Sequence, residues 1–237
     1  MDKNITKARA YFYEFLAYPL FFHTSDEKFA RWREQLSYLA QNPLSEQSAE
    51  AFANLEEFSF KELVNEQNEV LFGFTNIPLS ASFYEEGRDN GAARLRVIHC
   101  LNLSPYRRDK ELCKDSEDYV GFIFLAMATF LNDEFNGAKN ISDKLFIETL
   151  NLFVDEFGSL LLAHKNANFF RSYALILKDF IELERAVLSV EAPAKPQGDS
   201  VAMAALKKEP FQSKMPTIKT KLHWEEFSPV ISHEFKD

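Results

Sequence analysis

Apolar side chains recur every three or four residues along most of the first 190 positions, the spacing that places them on one face of an α-helix. In segment 5–22, for example, Ile5, Ala8, Phe12 and Phe15 share a face. Only 7 glycines and 9 prolines occur in 237 residues, too few turn residues for a many-stranded fold. The sequence therefore predicts an all-α fold. Helices are predicted over residues 5–22, 26–41, 46–57, 59–72, 91–102, 117–132, 142–163 and 167–189.

The helical pattern ends near residue 190, where Pro193, Pro196 and Gly198 interrupt it and no sustained period follows. The chain contains 24 phenylalanines, most of them within residues 1–190, and this stretch is long enough to bury a thick helical core in one domain. We therefore predict a single-domain multi-helix bundle over 1–190. Residues 191–237 are predicted to form an irregular tail, extended or docked on the body.

The net charge of −9 disfavours nucleic acid as a partner, because phosphate neutralisation requires a basic surface. Residues 1–190 hold 20 basic and 29 acidic side chains, whereas the last 47 residues are balanced. The predicted body therefore carries the whole excess of negative charge. Such a surface attracts basic partners.

The longest uncharged apolar run, residues 120–131, is too short to span a bilayer of roughly 30 Å. The first 15 residues alternate charged and aromatic side chains, unlike an export signal. We therefore expect a cytoplasmic protein without stable membrane insertion. Cys100 and Cys113 form no C-x-x-C motif, which disfavours a disulfide framework and a zinc site.

Catalytic signatures are missing from the sequence, which has no phosphate-binding glycine loop, no H-E-x-x-H and no G-x-S-x-G motif. We therefore predict that the protein is not an enzyme and has no catalytic residue, metal or cofactor. Glu117 and Asp118 are adjacent acids that diverge on a helix, so they do not indicate an acid–base pair. Ser116 is predicted to cap the helix over 117–132, with both acids in its first turn.

Residues 71–87, "LFGFTNIPLSASFYEEG", form an unusual connection between two predicted helices. Four aromatic side chains surround a turn that contains proline and serine, and the segment ends at a glycine. Together with "ARAYFYEFLAYPLF", "DSEDYVGFIFLAMATFL" and "NFFRSYALILKDFIELE", this segment occurs in an order that resembles the TorD/DmsD/NarJ family of redox-enzyme maturation chaperones. The resemblance covers about residues 5–190.

This resemblance implies an all-helical cytoplasmic chaperone that binds an apo-molybdoenzyme catalytic subunit and its twin-arginine signal peptide. Binding would assist cofactor insertion and delay export. The family's guanine-nucleotide binding would be weak at most, and the protein would be a monomer or a domain-swapped dimer. The central family motif is matched by Glu66, Leu71, Phe72, Pro78, Ser80, Ser82, Tyr84 and Gly87.

The second family motif usually contains an acid–acid–histidine run, and here Glu117 and Asp118 are followed by Tyr119 instead of histidine. The predicted peptide-binding residues are the matched positions on both motifs. Leu71, Phe72, Pro78 and Tyr84 are expected to make the apolar contacts, while Glu117 and Asp118 are expected to contact the arginines. The full set is Leu71, Phe72, Pro78, Ser80, Tyr84, Gly87, Glu117, Asp118 and Tyr119.

Two other functions stay open at this point. The protein could be a helical adaptor that acts through its aromatic-bearing tail, or, with less support, a nucleotide-dependent enzyme. The client is also open among formate dehydrogenase, which we favour slightly, and the dimethyl sulfoxide, trimethylamine N-oxide and nitrate reductases.

Overall fold

The computed structural model describes residues 3–21, 26–73, 76–111, 113–194 and 197–207. Over these residues the prediction of an all-α fold is confirmed, and their secondary structure consists of helices joined by turns and short connections. The helices are α1 Lys3–Ala17, α2 Asp26–Leu39, α3 Glu46–Glu56, α4 Phe60–Val70, α5 Ala81–Glu86, α6 Ala92–Asn102, α7 Val120–Phe135, α8 Ser142–Leu145, α9 Asn151–Ala163, α10 Phe169–Leu188 and α11 Val201–Leu206.

Two of these helices begin with a serine in a capping box. The serine side chain accepts a hydrogen bond from the backbone N–H three residues later, and the side chain of that later residue accepts one from the serine backbone N–H. Ser45 caps α3 and Ser59 caps α4; in α4 the Glu62 carboxylate accepts a hydrogen bond from the Ser59 backbone N–H at 2.9 Å. These caps set the starts of the two helices that the periodicity predicted.

The core is built around α1, which packs against α7, α10 and α2. Its Phe15 ring stacks on Trp32 of α2 with the centroids 5.5 Å apart, and Trp32 also contacts Phe169 at the start of α10. Phe12 stacks on Phe180 of α10 at 4.8 Å. Aromatic rings therefore join α1, α2 and α10, which accounts for much of the high phenylalanine content.

The predicted helices differ from the observed ones in several places. The helix predicted over 142–163 is α8 and α9 joined by the π-helical turn Phe146–Leu150, which changes the residue period locally. Ile5 and Ala8, which were expected to face the core, are exposed. The short helices α5 and α11 were not predicted, because six residues are too few to establish a helical period.

Residues Met1–Leu206 form one compact unit, and residues Lys207–Asp237 form a second unit that, beyond Lys207, lies outside the described residues. Part of the predicted tail is thus docked. Helix α11 packs against α5, and Ala202 in it is fully buried. Within the part of the chain that the structure describes, no helix has the length and apolarity needed to cross a membrane.

Candidate functional site

Two segments that the sequence separates by almost 40 residues pair as an isolated antiparallel bridge between Ser80 and Tyr119. The backbone N–H of Ala81 donates to the Asp118 carbonyl at 2.8 Å, and the N–H of Val120 donates to the Leu79 carbonyl at 2.8 Å. This pairing joins the connection before α5 to the connection before α7. It brings the two family motifs together.

The bridge also explains why one sequence-based expectation was wrong. Ser116 does not cap α7, because the helix begins at Val120 and its N-cap residue is Tyr119, whose backbone is extended. Glu117 and Asp118 therefore lie before the helix and not in its first turn. Glu117 and Asp118 lie in a turn closed by a hydrogen bond from the Tyr119 N–H to the Ser116 carbonyl, and the pairing of Tyr119 with Ser80 holds the Tyr119 backbone extended, so the helix begins one residue later.

A cleft of about 250 Å³ lies beside this bridge. Among the predicted residues, Leu71, Phe72, Ser80 and Tyr119 line it. Phe72 is 49% exposed, while the other three are buried or nearly so. The rest of the lining is Asn76, Ile77, Leu79, Asp89, Asp115 and Ser116.

Asp89 and Asp115 are the acidic cleft residues among those that sequence reasoning missed. Both are exposed acids in connections between helices, one shortly after Gly87 and one shortly before Glu117. Their closeness to the two motifs was the available signal. Which acids line a common cleft, however, depends on the pairing of the two segments.

Pro78, Tyr84 and Gly87 do not line the cleft. The Tyr84 hydroxyl donates to the Pro78 carbonyl at 2.7 Å, and the Tyr84 ring stacks on Phe153 of α9 at 5.4 Å. Burial raises the pKa of Tyr84 well above its ordinary value. These contacts anchor α5 on the core and give Pro78 and Tyr84 a structural role. A role of the same residues in binding a peptide stays a prediction.

Gly87 ends α5 with a left-handed backbone, φ 67°, a conformation that glycine adopts without steric cost. A Cβ atom at this position would lie 3.0 Å from the Cβ of Ala205 in α11. Both the left-handed helix end and the close approach of α11 therefore favour glycine at this position.

Glu117 is a nearly buried carboxylate that bridges two arginines. It accepts from Arg94 Nε at 2.6 Å and from Arg108 Nε at 3.0 Å. Burial alone would raise the pKa of Glu117, but the hydrogen bonds from Arg94, from its own backbone N–H and from Arg108 hold the pKa below its ordinary value. Glu117 thus ties α6 to the connection that follows it.

Asp118 has no exposed surface. Its Oδ2 atom accepts from the Ser80 hydroxyl at 2.7 Å and from the Asn90 N–H at 3.2 Å, and Oδ1 accepts from the Ser116 hydroxyl. Burial would raise the pKa of Asp118, but hydrogen bonds from Ser116, Ser82 and Ser80 hold it below its ordinary value. Tyr119 is also buried and donates to the Leu20 carbonyl at 2.5 Å.

We expect the protein to lose stability as the pH falls below about 4.5. Glu117 and Asp118 have folded-state pKa values below their ordinary values of 4.5 and 3.8, so they stabilise the fold above those values and stop doing so as they become protonated. Urea unfolding at pH 6, 4 and 3 measures this loss. Glu117→Gln should be less stable than wild type at pH 6 and closer to it at pH 3; a constant difference between them would contradict the expectation.

The comparisons agree with the resemblance read from these motifs. The family described as "Nitrate reductase delta subunit" matches residues 29–160, more than half of the chain and a span that includes the cleft. No curated protein matches the chain. Members of this family are chaperones of nitrate reductase maturation and are not themselves enzymes. The chain therefore belongs to the nitrate reductase delta subunit family, within the TorD/DmsD/NarJ group of molybdoenzyme maturation chaperones.

Proposed function

We propose that this chaperone recognises its client, an apo-molybdoenzyme catalytic subunit, through a twin-arginine signal peptide bound at the cleft. The observation that supports the proposal is the composition of the cleft, where the half-exposed Phe72 lies among family-matching residues beside Asp89 and Asp115. Occupation of the cleft would keep the signal from the export machinery until the cofactor has been inserted.

The chemistry of such a peptide suits this surface. Two guanidinium groups are followed by a weakly apolar stretch, which calls for acids beside an apolar contact. Exposed charge pairs contribute only about 0–1 kcal/mol each, whereas each buried apolar side chain contributes roughly 1.5–3 kcal/mol. After the costs of ordering the peptide, we expect about micromolar affinity, near −8 kcal/mol. Asp89 and Asp115 would set the orientation and the association rate.

Binding of a fluorescently labelled twin-arginine peptide to the full chain tests the proposal. We expect Asp89→Lys with Asp115→Lys to weaken binding about tenfold at low salt, and the difference to shrink at about 1 M salt, where the Debye length is about 3 Å. Glu50→Lys reverses one charge on α3, at an exposed position that does not line the cleft, and is the matched control for Asp89→Lys alone and for Asp115→Lys alone. It should change binding much less.

Two results would contradict the proposal. One is a wild-type protein that binds none of the twin-arginine peptides encoded beside its own gene. The other is equal weakening by Glu50→Lys and by the cleft variants.

Asp118→Lys is not a suitable test of the proposal, because it would place an ammonium group in an enclosed site and destabilise the fold.

The rival adaptor function predicts that the tail carries the activity. A chain that ends at Lys207 keeps α11, which packs against α5. It therefore removes the rest of the tail with less disturbance of the fold than a chain that ends at residue 190. The proposal expects peptide binding to survive in this shorter chain.

A pull-down that identifies the co-purifying molybdoenzyme determines the client. It distinguishes a nitrate reductase from a formate dehydrogenase, a dimethyl sulfoxide reductase or a trimethylamine N-oxide reductase.

A further inference from the structure

Asp118 is adjacent in sequence to a residue that lines the cleft. Its own side chain is fully buried and does not line the cleft. It accepts hydrogen bonds from Ser80, Asn90 and Ser116, which belong to three separate stretches of chain, and also from Ser82 in α5. One buried carboxylate therefore joins the connection before α5, the connection after α5 and the connection before α7.

Two of these donors are the immediate neighbours of the cleft acids. Asn90 follows Asp89, and Ser116 follows Asp115. Asn90 has a left-handed backbone with φ 59°, a conformation that is uncommon outside glycine, and its N–H points to Asp118 Oδ2 at 3.2 Å. The turn that presents Asp89 and the stretch that presents Asp115 are thus both held by the same carboxylate.

Direct contact between Asp118 and a client arginine would have a large cost. A guanidinium could reach the carboxylate only if the donors around it moved away, which would leave the buried Ser80 hydroxyl and the partly buried Asn90 N–H and Ser116 hydroxyl without this acceptor. Asp89 and Asp115 are exposed and require no such rearrangement. The geometry therefore separates the acids that can meet a cation from the acid that holds them.

We propose that Asp118 is a positioning residue, which holds the two segments that present Asp89 and Asp115 to the cleft and does not itself contact the client. This inference rests on the proposed function of the cleft. It assigns the acid of the second family motif to the support of the site and assigns recognition of the two cationic groups to Asp89 and Asp115.

Asp118→Ala and Asp118→Asn distinguish positioning from direct contact. Alanine removes the acceptor, so we expect about tenfold weaker binding of the twin-arginine peptide and a weaker dependence of binding on salt. Asparagine has no charge, but its oxygen can accept from Ser80 and Asn90 while its amide donates to the Ser116 hydroxyl. We therefore expect asparagine to restore binding to within about threefold of wild type.

The opposite pattern would overturn the inference. If Asp118 contacts an arginine, asparagine should weaken binding as much as alanine, and as much as Asp89→Asn or Asp115→Asn. Glu50→Gln, which removes one charge away from the cleft, is the matched control. Circular dichroism melting curves show whether each variant is folded at the temperature of the binding measurement.

Amide hydrogen exchange tests the same contact without any peptide. The Asn90 N–H should exchange about tenfold faster in Asp118→Ala and remain close to wild type in Asp118→Asn, because only alanine removes its acceptor. Unchanged exchange in Asp118→Ala would refute the positioning role. If the wild-type chain binds no twin-arginine peptide, the proposed function fails, and the exchange rates still decide whether Asp118 holds the turn at Asn90.

Discussion

Glu184→Ala is expected to lower the free energy of unfolding by about 3 kcal/mol, because the buried Arg9 loses its hydrogen-bonded carboxylate and keeps the more distant Asp143, at 3.7 Å. Glu184 lies in α10 and is fully enclosed. It accepts from Arg9 Nε at 2.6 Å, from Arg9 Nη2 at 3.0 Å and from the Tyr13 hydroxyl at 2.9 Å. Both donors belong to α1, so this carboxylate links the central helix of the core to the longest helix of the fold.

The direction of the pKa shifts agrees with a strongly coupled group of side chains. Burial opposes the charge of Arg9, but the hydrogen bond and the charge of Glu184 raise the pKa of Arg9 above its ordinary value. Burial and the neighbouring Glu184 also raise the pKa of Tyr13. Both shifts favour a charged Arg9 and a neutral Tyr13 in the folded protein.

Urea unfolding of Glu184→Ala, of a control variant and of a double-mutant cycle on Arg9 and Glu184 measures this effect. Glu182→Ala removes an exposed carboxylate from the same helix and should change stability by no more than about 0.5 kcal/mol. The double replacement Arg9→Met with Glu184→Leu should be less destabilised than the sum of the single changes, because it removes both charges together. A loss of less than about 1 kcal/mol in Glu184→Ala would show that the pair does not hold α1 to α10.

Glu66→Ala is the second large effect that we expect, a loss of about 2–3 kcal/mol in the free energy of unfolding. The Glu66 carboxylate, on α4, accepts hydrogen bonds from the N–H groups of Asn168, Phe169 and Phe170 at 2.8–2.9 Å. These are donors at the beginning of α10, where no partner exists within the helix. The Asn168 side chain makes no capping hydrogen bond, so Glu66 caps α10 from another helix.

Glutamine and a neighbouring acid provide the controls for this contact. Glu66→Gln keeps one acceptor oxygen but loses the charge that favours the positive end of the helix dipole, and should lose about half as much stability as alanine. Glu69→Ala, at an exposed position on the same helix, should have an effect within about 0.5 kcal/mol. Equal stability of Glu66→Ala and Glu69→Ala would refute the capping role.

Glu66 also illustrates how the motifs and the structure differ in what they reveal. The family motif identified Glu66 as a matching residue, but it did not show whether Glu66 binds the client or stabilises the fold. A capping contact joins residues about 100 positions apart, and local spacing carries no information on such a pair. The same holds for Glu117, which binds Arg94 and Arg108 inside the protein.

The sequence by itself determined the helical class, the positions of the long helices and the family, because these depend on local periodicity and on the order of motifs. Only the tertiary structure decided that α7 begins at Val120, that α11 docks on α5, and that Asp89 and Asp115 share a cleft with Phe72. The start of α7 and the shared cleft depend on one long-range pairing, between Ser80 and Tyr119. The docking of α11 depends on a separate contact with α5, where Ala202 is buried. Periodicity shows which face of a helix is apolar, whereas the partner of a buried carboxylate is set by which segments meet in space.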